Sequence, residues 1–106
     1  MRLIRLIFRL LGVWLMAAAA ALAAPTVVID AGHGGHDRGG IPGLKYSEKA
    51  LALDVSRRLS SNLRKAGFRT VMTRTGDTFV SLSGRCAAAN RQSNAIFVSV
   101  HFNAAS

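Results

Sequence analysis

Three short apolar runs, separated by two stretches with helical periodicity, constrain the fold of this chain most strongly. The runs Thr26 to Asp30, Phe68 to Arg74 and Ala95 to Val100 are rich in β-branched and aromatic residues and predict strands. The order strand, helix, strand, helix, strand needs crossover connections, which are typical of parallel sheets. We therefore expect a three-layer α/β fold with a mostly parallel sheet, of which this chain holds a β-α-β-α-β portion.

Both helical stretches have an apolar face. In the first, Ser47 is a candidate N-cap and Gly67 a candidate C′ residue. Its apolar side chains recur every fourth residue and are expected to pack on the sheet. They are Leu51, Val55, Leu59 and Leu63. The second helix is expected over 82–91, where Cys86 shares a face with Leu82 and Ala89, which predicts a buried small side chain.

Two helices leave much of a parallel sheet uncovered, although such sheets are normally covered on both faces. The chain also stops soon after the third run. We therefore expect the domain to be truncated at its C-terminus.

The first 23 residues have the pattern of a secretory signal peptide. Arg2, Arg5 and Arg9 precede an uncharged run over 10–24, and within residues 21–23 Ala21 and Ala23 are the small residues that a signal peptidase needs. The alternative is an uncleaved anchor, although the run is shorter than the roughly 18 to 20 residues of a spanning helix. We expect residues 1–23 to be removed, and residues 24–106 to be exported to the periplasm or cell envelope without a stable membrane span.

The charge of the exported part restricts its partners. Residues 24–106 hold 11 basic and 5 acidic residues, a net charge of +6. An exported basic protein meets anionic envelope polymers, so we expect no nucleic-acid partner.

The glycine-rich stretch VVIDAGHGGHDRGG, from Val27 to Gly40, does not have the spacing of a nucleotide-binding loop. A Walker loop ends in Lys and Ser or Thr, but Ile41 and Pro42 follow Gly40. A dinucleotide fingerprint would require a third glycine where Asp37 stands.

Metal-binding residues instead lie where the predicted strands end and the first helix begins. His33 follows the first strand, Glu48 lies in the first helical turn, and His101 closes the third strand. The carboxyl ends of parallel strands share one edge of the sheet. Two histidines and one glutamate are the protein ligands of a hydrolytic zinc site, with the fourth position left for water. His36 and Asp37 are rival ligands, and Asp30 or Asp37 is a candidate to orient an imidazole from outside the ligand set.

The chain resembles a known family, the zinc-dependent N-acetylmuramoyl-L-alanine amidases with a type-3 amidase domain. Three continuous segments carry the resemblance in the family's order, and Arg85 with Ala89 and Asn90 forms a further match between the second and the third. The segments are VVIDAGHGGHDRGG, SEKALALDVSRRLSSNLRKAGFRTVMTR and FVSVHFNA. Arg38 departs from the family, which commonly has proline there.

The resemblance implies hydrolysis of the amide bond between N-acetylmuramic acid and L-alanine in peptidoglycan. It implies Zn²⁺ as cofactor and His33, Glu48 and His101 as its ligands, with His36 a loop residue near the site. The family's catalytic glutamate comes later in the domain, whereas Glu48 is the only glutamate of this chain. We therefore assign no catalytic residue within 24–106 and expect the general base beyond Ser106.

Two alternatives remain open. One is a catalytically silent module that holds zinc and binds the cell wall. The other is a truncated product without function.

Overall fold

The computed structural model describes residues 4–5, 7–9, 24–40 and 45–103. Residues 4–5 and 7–9 are helical, and the rest of the predicted signal peptide lies outside the described residues. Within these ranges, no helix combines the length and apolar character needed to cross a membrane.

The described chain alternates strands and helices in the predicted order. The elements are β1 (Thr26–Ala31), α1 (Glu48–Lys65), β2 (Thr70–Met72), α2 (Leu82–Asn90) and β3 (Ala95–Val100). The three strands form a parallel sheet in the order β2-β1-β3. The predicted α/β class and parallel sheet are confirmed, and β1 is buried along its whole length.

Strand β2 is shorter than the predicted run 68–74, because the start of that run takes part in the C-terminal capping of helix α1. Gly67 adopts a φ of 94° after the C-cap Ala66. The Gly67 N–H donates to the Arg64 carbonyl and the Phe68 N–H to the Leu63 carbonyl, each at 3.0 Å. This Schellman-type pattern satisfies two carbonyls at the helix end, so Phe68 is not available for the sheet.

The two helices cover opposite faces of the sheet. Ser60 of α1 is 2.7 Å from Thr70, whose register partner is Val27, so α1 lies on the Val27 face. Arg85 of α2 donates to Asp30 at 2.7 Å, and Asp30 points to the other face because side chains alternate along a strand. Each face of the sheet is therefore packed against one helix.

The prediction of the buried face of α1 is wrong, because the helix is rotated about its axis and a different face packs on the sheet. Leu51 and Val55 are 36% and 39% exposed, whereas Ala52, Ser56 and Ser60 are buried. Small side chains allow the helix backbone to approach the sheet closely, and the larger leucines lie beside that line. A prediction from hydrophobicity alone selects the leucine face, because hydrophobicity contains no information on how closely the helix approaches the sheet.

The prediction for Cys86 is also wrong, since this side chain is exposed. The buried residue of α2 is the neighbouring Arg85. Its guanidinium donates to Asp30 and to three backbone carbonyls, which fixes the rotation of the short helix. Leu82, on the predicted face, is 82% exposed for the same reason.

Asp30 is the centre of a polar row that crosses the sheet. Thr73 and Ser99 each donate a hydroxyl hydrogen bond to it at 2.7 Å, and Arg85 pairs with it at 2.7 Å. Burial disfavours the charged carboxylate, but the hydrogen bonds from Arg85, Ser99 and Thr73 outweigh that effect and lower the pKa of Asp30. The row therefore joins all three strands to α2.

Replacing Asp30 with asparagine should lower the free energy of unfolding at neutral pH by about 3 kcal/mol, because Arg85 is left buried without its counter-charge. The lowered pKa sets the pH dependence. The ionised carboxylate stabilises the fold above the unfolded-state pKa of about 3.9, and this contribution is lost as the pH falls through the lower folded-state pKa. Urea unfolding at about pH 7 and at about pH 2 should therefore show a larger difference between wild type and Asp30→Asn at the higher pH.

Asp54→Asn is the matched control, because Asp54 pairs with Arg58 on the exposed side of α1. Exposed pairs contribute little, so this variant should unfold close to wild type at both pH values. Equal losses in the two variants, or a gap for Asp30→Asn that does not change with pH, would contradict the account.

Candidate metal centre

The candidate centre lies at the carboxyl edge of the sheet, where β1 and β3 end side by side. His33 is two residues beyond β1, and His101 directly follows β3. Glu48 is the first residue of α1 and continues its buried line, four residues before Ala52. The topology therefore brings together three side chains that are separated by up to 68 residues in sequence.

The three donor atoms form a compact triangle. Nε2 of His33 lies 2.9 Å from Oε1 of Glu48 and 3.2 Å from Nδ1 of His101. The third side, from Nδ1 of His101 to Oε1 of Glu48, is 3.5 Å. Bonds of about 2.0 to 2.1 Å in a tetrahedral zinc site place neighbouring ligand atoms about 3.3 Å apart. The triangle thus has the size of one face of that tetrahedron, and the donor set fits Zn²⁺.

The loop after β1 adopts a conformation that few residues tolerate. His33 has a φ of 61°, the only positive value among the non-glycine residues in the described ranges. Two glycines make room for the imidazoles. A Cβ at Gly32 would overlap the ring of His101, and a Cβ at Gly39 would overlap the ring of His33. The glycines of this stretch therefore serve close packing around the histidines.

Two buried arginines hold the loop backbone in place. Arg74 donates to the carbonyls of Ala31 and Gly32 at 3.0 and 2.8 Å. Arg85 donates to the carbonyls of Ala31 and His33 at 2.7 and 2.8 Å. Since an unpaired buried carbonyl is costly, these bonds stabilise the left-handed conformation at His33.

Neither arginine was predicted to have a role in the site. The position of Arg74 at the end of a predicted strand was a usable signal, because that strand end lies at the same edge as the site. Arg85 had no such position in the helical pattern, and its only signal was that it belongs to the residues that resemble the family.

Hydrogen bonds orient two of the three donors. Oδ2 of Asp37 accepts from Nδ1 of His33 at 2.9 Å, which directs Nε2 of that ring into the triangle. The backbone N–H of Phe102 donates to Oε1 of Glu48 at 3.0 Å. His33 and Glu48 are therefore held in position by groups outside the triangle.

The pKa values of these groups favour charge at the site. Burial opposes protonation of His33, but Asp37 and Glu48 outweigh it and raise the pKa of His33. Burial likewise disfavours ionised Glu48, yet the Phe102 N–H and His33 lower the pKa of Glu48. The pKa of Asp37 is lowered chiefly by its hydrogen bond to His33. Two carboxylates whose ionised form is favoured therefore lie against the imidazole of His33.

The structure shows which of the other candidate residues, His36, Asp37 and Asp30, contacts the triangle. His36 is exposed and packs against the ring of Phe79, with a centroid distance of 4.3 Å, outside the triangle. Asp30 bonds to Arg85, Thr73 and Ser99. Of the two aspartates, Asp37 is therefore the one that contacts an imidazole.

An open cleft of about 550 Å³ borders the triangle on the α2 face of the sheet. His33 and His101 form one side of it. Apolar side chains line much of the rest, among them Phe79, Leu82 and Phe97. The triangle is therefore accessible to a ligand from this side.

The sequence and the fold both match known proteins. The family model described as N-acetylmuramoyl-L-alanine amidase matches residues 27–106. The amidase AmiC of Escherichia coli O6:H1 is 40% identical over 79 residues, which cover 74% of this chain and 19% of that protein. The uncharacterized protein YqiI of Bacillus subtilis is 40% identical over 86 residues, which cover 81% of this chain and 41% of the relative.

Solved structures of related proteins have the same fold. The amidase AmiC2 of Nostoc punctiforme superimposes with a TM-score of 0.70 at 40% identity, covering 74% of this chain and 44% of that chain. Cwp6 of Clostridium difficile gives a TM-score of 0.73 at 40% identity, covering 79% of this chain and 14% of that one. The chain spans less than half the length of each of these four relatives. The resemblance seen in the sequence is confirmed, and the chain belongs to the N-acetylmuramoyl-L-alanine amidase family.

Proposed function

We propose that this chain is the zinc-binding part of an enzyme that hydrolyses the amide bond between N-acetylmuramic acid and L-alanine in peptidoglycan. The observation that carries the proposal is the donor triangle of His33, Glu48 and His101, whose size suits Zn²⁺, in a chain of an amidase family. LytH of Staphylococcus aureus, matched in two versions, bears the name probable cell wall amidase, which supports an envelope location after export of residues 24–106.

His33, Glu48 and His101 would hold Zn²⁺, and the cleft lies beside the two histidines. When bound, Zn²⁺ would supply a water ligand with a pKa of about 7 and a Lewis acid for the amide carbonyl. The chain's own residues supply the positioning. Asp37 holds the His33 ring, the Phe102 N–H holds the Glu48 carboxylate, and the cleft beside His101 admits an extended substrate.

The described residues supply no evident general base, the group that would take the proton of the attacking water. All five acidic residues of the chain lie in the described ranges, and each is already engaged. Glu48 belongs to the triangle, and Asp37 bonds to His33. Each of the other three acids pairs with a basic side chain. The pairs are Asp30 with Arg85, Asp54 with Arg58 and Asp77 with Lys49. We therefore expect the 106-residue chain to bind zinc and to turn substrate over slowly.

The second candidate is a wall-binding module without catalysis. It is favoured by the same observation, because a site with three ligands and no base can hold a metal without hydrolysing an amide. The two candidates differ in whether the zinc-loaded chain releases products from peptidoglycan.

Zinc binding is tested by titration calorimetry on the full chain. One equivalent of zinc should bind. His33→Ala should weaken zinc binding by more than about 100-fold, because loss of a direct ligand costs more than the 10- to 100-fold loss caused by removing a residue that is hydrogen-bonded to a ligand. His36→Ala is the matched control, because this histidine of the same loop lies outside the triangle, and it should bind as wild type does. Equal losses in both variants would contradict the ligand assignment.

Catalysis is tested by dye release from labelled peptidoglycan. Slow release by zinc-loaded wild type that is absent in His33→Ala supports the amidase. Wild-type release no faster than that of His33→Ala supports the binding module.

The orienting role of Asp37 gives a separate prediction. Asp37→Asn removes the charge that holds Nδ1 of His33, and zinc affinity should fall by about 10- to 100-fold. Asp77→Asn, which breaks an exposed contact between Asp77 and Lys49, is the control and should leave zinc affinity unchanged. An Asp37→Asn variant that binds zinc as tightly as wild type would show that the hydrogen bond does not orient the ligand.

A further inference from the structure

Two concave surfaces of about 450 Å³ each lie along α1, between this helix and the segment 72–77, and Arg57 lines both. We refer to the two surfaces together as the groove. The first begins at Ser47, beside Glu48, and reaches Arg57. The second continues from Arg57 to Lys65. At 1.5 Å per helical residue, the groove extends for about 25 Å from the donor triangle.

The groove carries positive charge that the described residues do not neutralise. Two of its six basic side chains are committed, since Arg74 donates to four backbone carbonyls and Lys49 pairs with Asp77. The groove's other acid, Asp54, pairs with Arg58 outside it. Four exposed cations have no carboxylate partner within the described ranges. They are Arg38, Arg57, Arg64 and Lys65.

Two of these guanidiniums are positioned by neutral groups. Arg57 donates to the carbonyl of Thr75, and Arg64 donates to the hydroxyl of Thr70 at 2.7 Å. Each bond spans from α1 to the chain at β2 and leaves further N–H groups for a ligand. A guanidinium held in this way presents a planar pair of donors, which suits a carboxylate.

The lining of the groove restricts the ligand. Among the described residues, no aromatic side chain lines either surface, so this part of the chain offers no stacking platform for nucleic-acid bases. Its concave shape fits a chain better than a flat membrane, and its rim of charged and small residues offers little to insert into lipid. An extended polymer with repeated carboxylates matches both the charge and the shape.

We propose that this groove binds carboxylates of peptidoglycan stem peptides next to the one presented to the donor triangle. The inference rests on the proposed function, because it takes the same polymer as ligand. It adds a second contact that holds the wall along α1 while the amide lies at the edge of the sheet.

Co-sedimentation of the full chain with purified sacculi tests the groove. Arg57→Gln/Lys65→Gln should raise the apparent Kd by about three- to tenfold at low salt, because exposed ion pairs are individually weak. Arg69→Gln/Arg91→Gln removes the same charge from two exposed arginines outside the groove and should change the Kd by less than about twofold. Equal losses in the two double variants would overturn the proposal in favour of a net-charge effect.

Further comparisons separate the ligand sources and the two sites. Sacculi whose carboxylates are blocked as neutral amides should bind wild type as weakly as the groove variant binds untreated sacculi. Unchanged binding to blocked sacculi, or equal binding to phosphatidylglycerol vesicles, would overturn the proposal.

Lys65→Gln alone breaks no side-chain hydrogen bond of the described chain, and it should weaken binding in the same direction if the double variant folds poorly. His33→Ala should lose zinc and keep its affinity for sacculi. If His33→Ala loses that affinity while the groove variant keeps it, the groove proposal fails and the metal site carries the binding.

Discussion

Two buried guanidiniums at the carboxyl end of β1 are the interaction on which the rest of the structure depends. Arg74, which follows β2, and Arg85, which lies in α2, bond to three successive carbonyls, those of Ala31, Gly32 and His33. These bonds hold the backbone at His33 in its left-handed conformation. Arg85 also pairs with Asp30, so the same contact joins the sheet, helix α2 and the candidate metal centre.

The positions of the strands, and the edge of the sheet at which they end, could be predicted from the sequence. The bounds of β3 match its run of apolar residues, and β1 extends only one residue beyond the predicted end. His33, Glu48 and His101 could be grouped before the structure, because parallel strands end at one edge and α1 begins there. That they bind zinc stays a prediction, while the structure places their donor atoms within 4.8 Å of one another.

The rotation of the helices could not be predicted from apolar periodicity. On α1 the small residues Ala52 and Ser56 face the sheet, since close approach of the backbone decides the packing there. On α2 the four hydrogen bonds of Arg85 outweigh the burial of Cys86 and Leu82. Both outcomes depend on packing against strands that are distant along the chain, as with Asp30, 55 residues from Arg85, and a local pattern does not contain such partners. The choice of Asp37 over Asp30 as the partner of His33 likewise depended on the loop conformation.

The central claim is that the triangle of two imidazoles and one carboxylate is a zinc site with an open position. Zinc K-edge X-ray absorption on the zinc-loaded chain tests it most directly. The account predicts a first shell of four nitrogen or oxygen atoms at about 2.0 to 2.1 Å, with the outer-shell signature of two imidazoles. A six-coordinate oxygen shell, or a sulfur atom at about 2.3 Å contributed by Cys86, would contradict it.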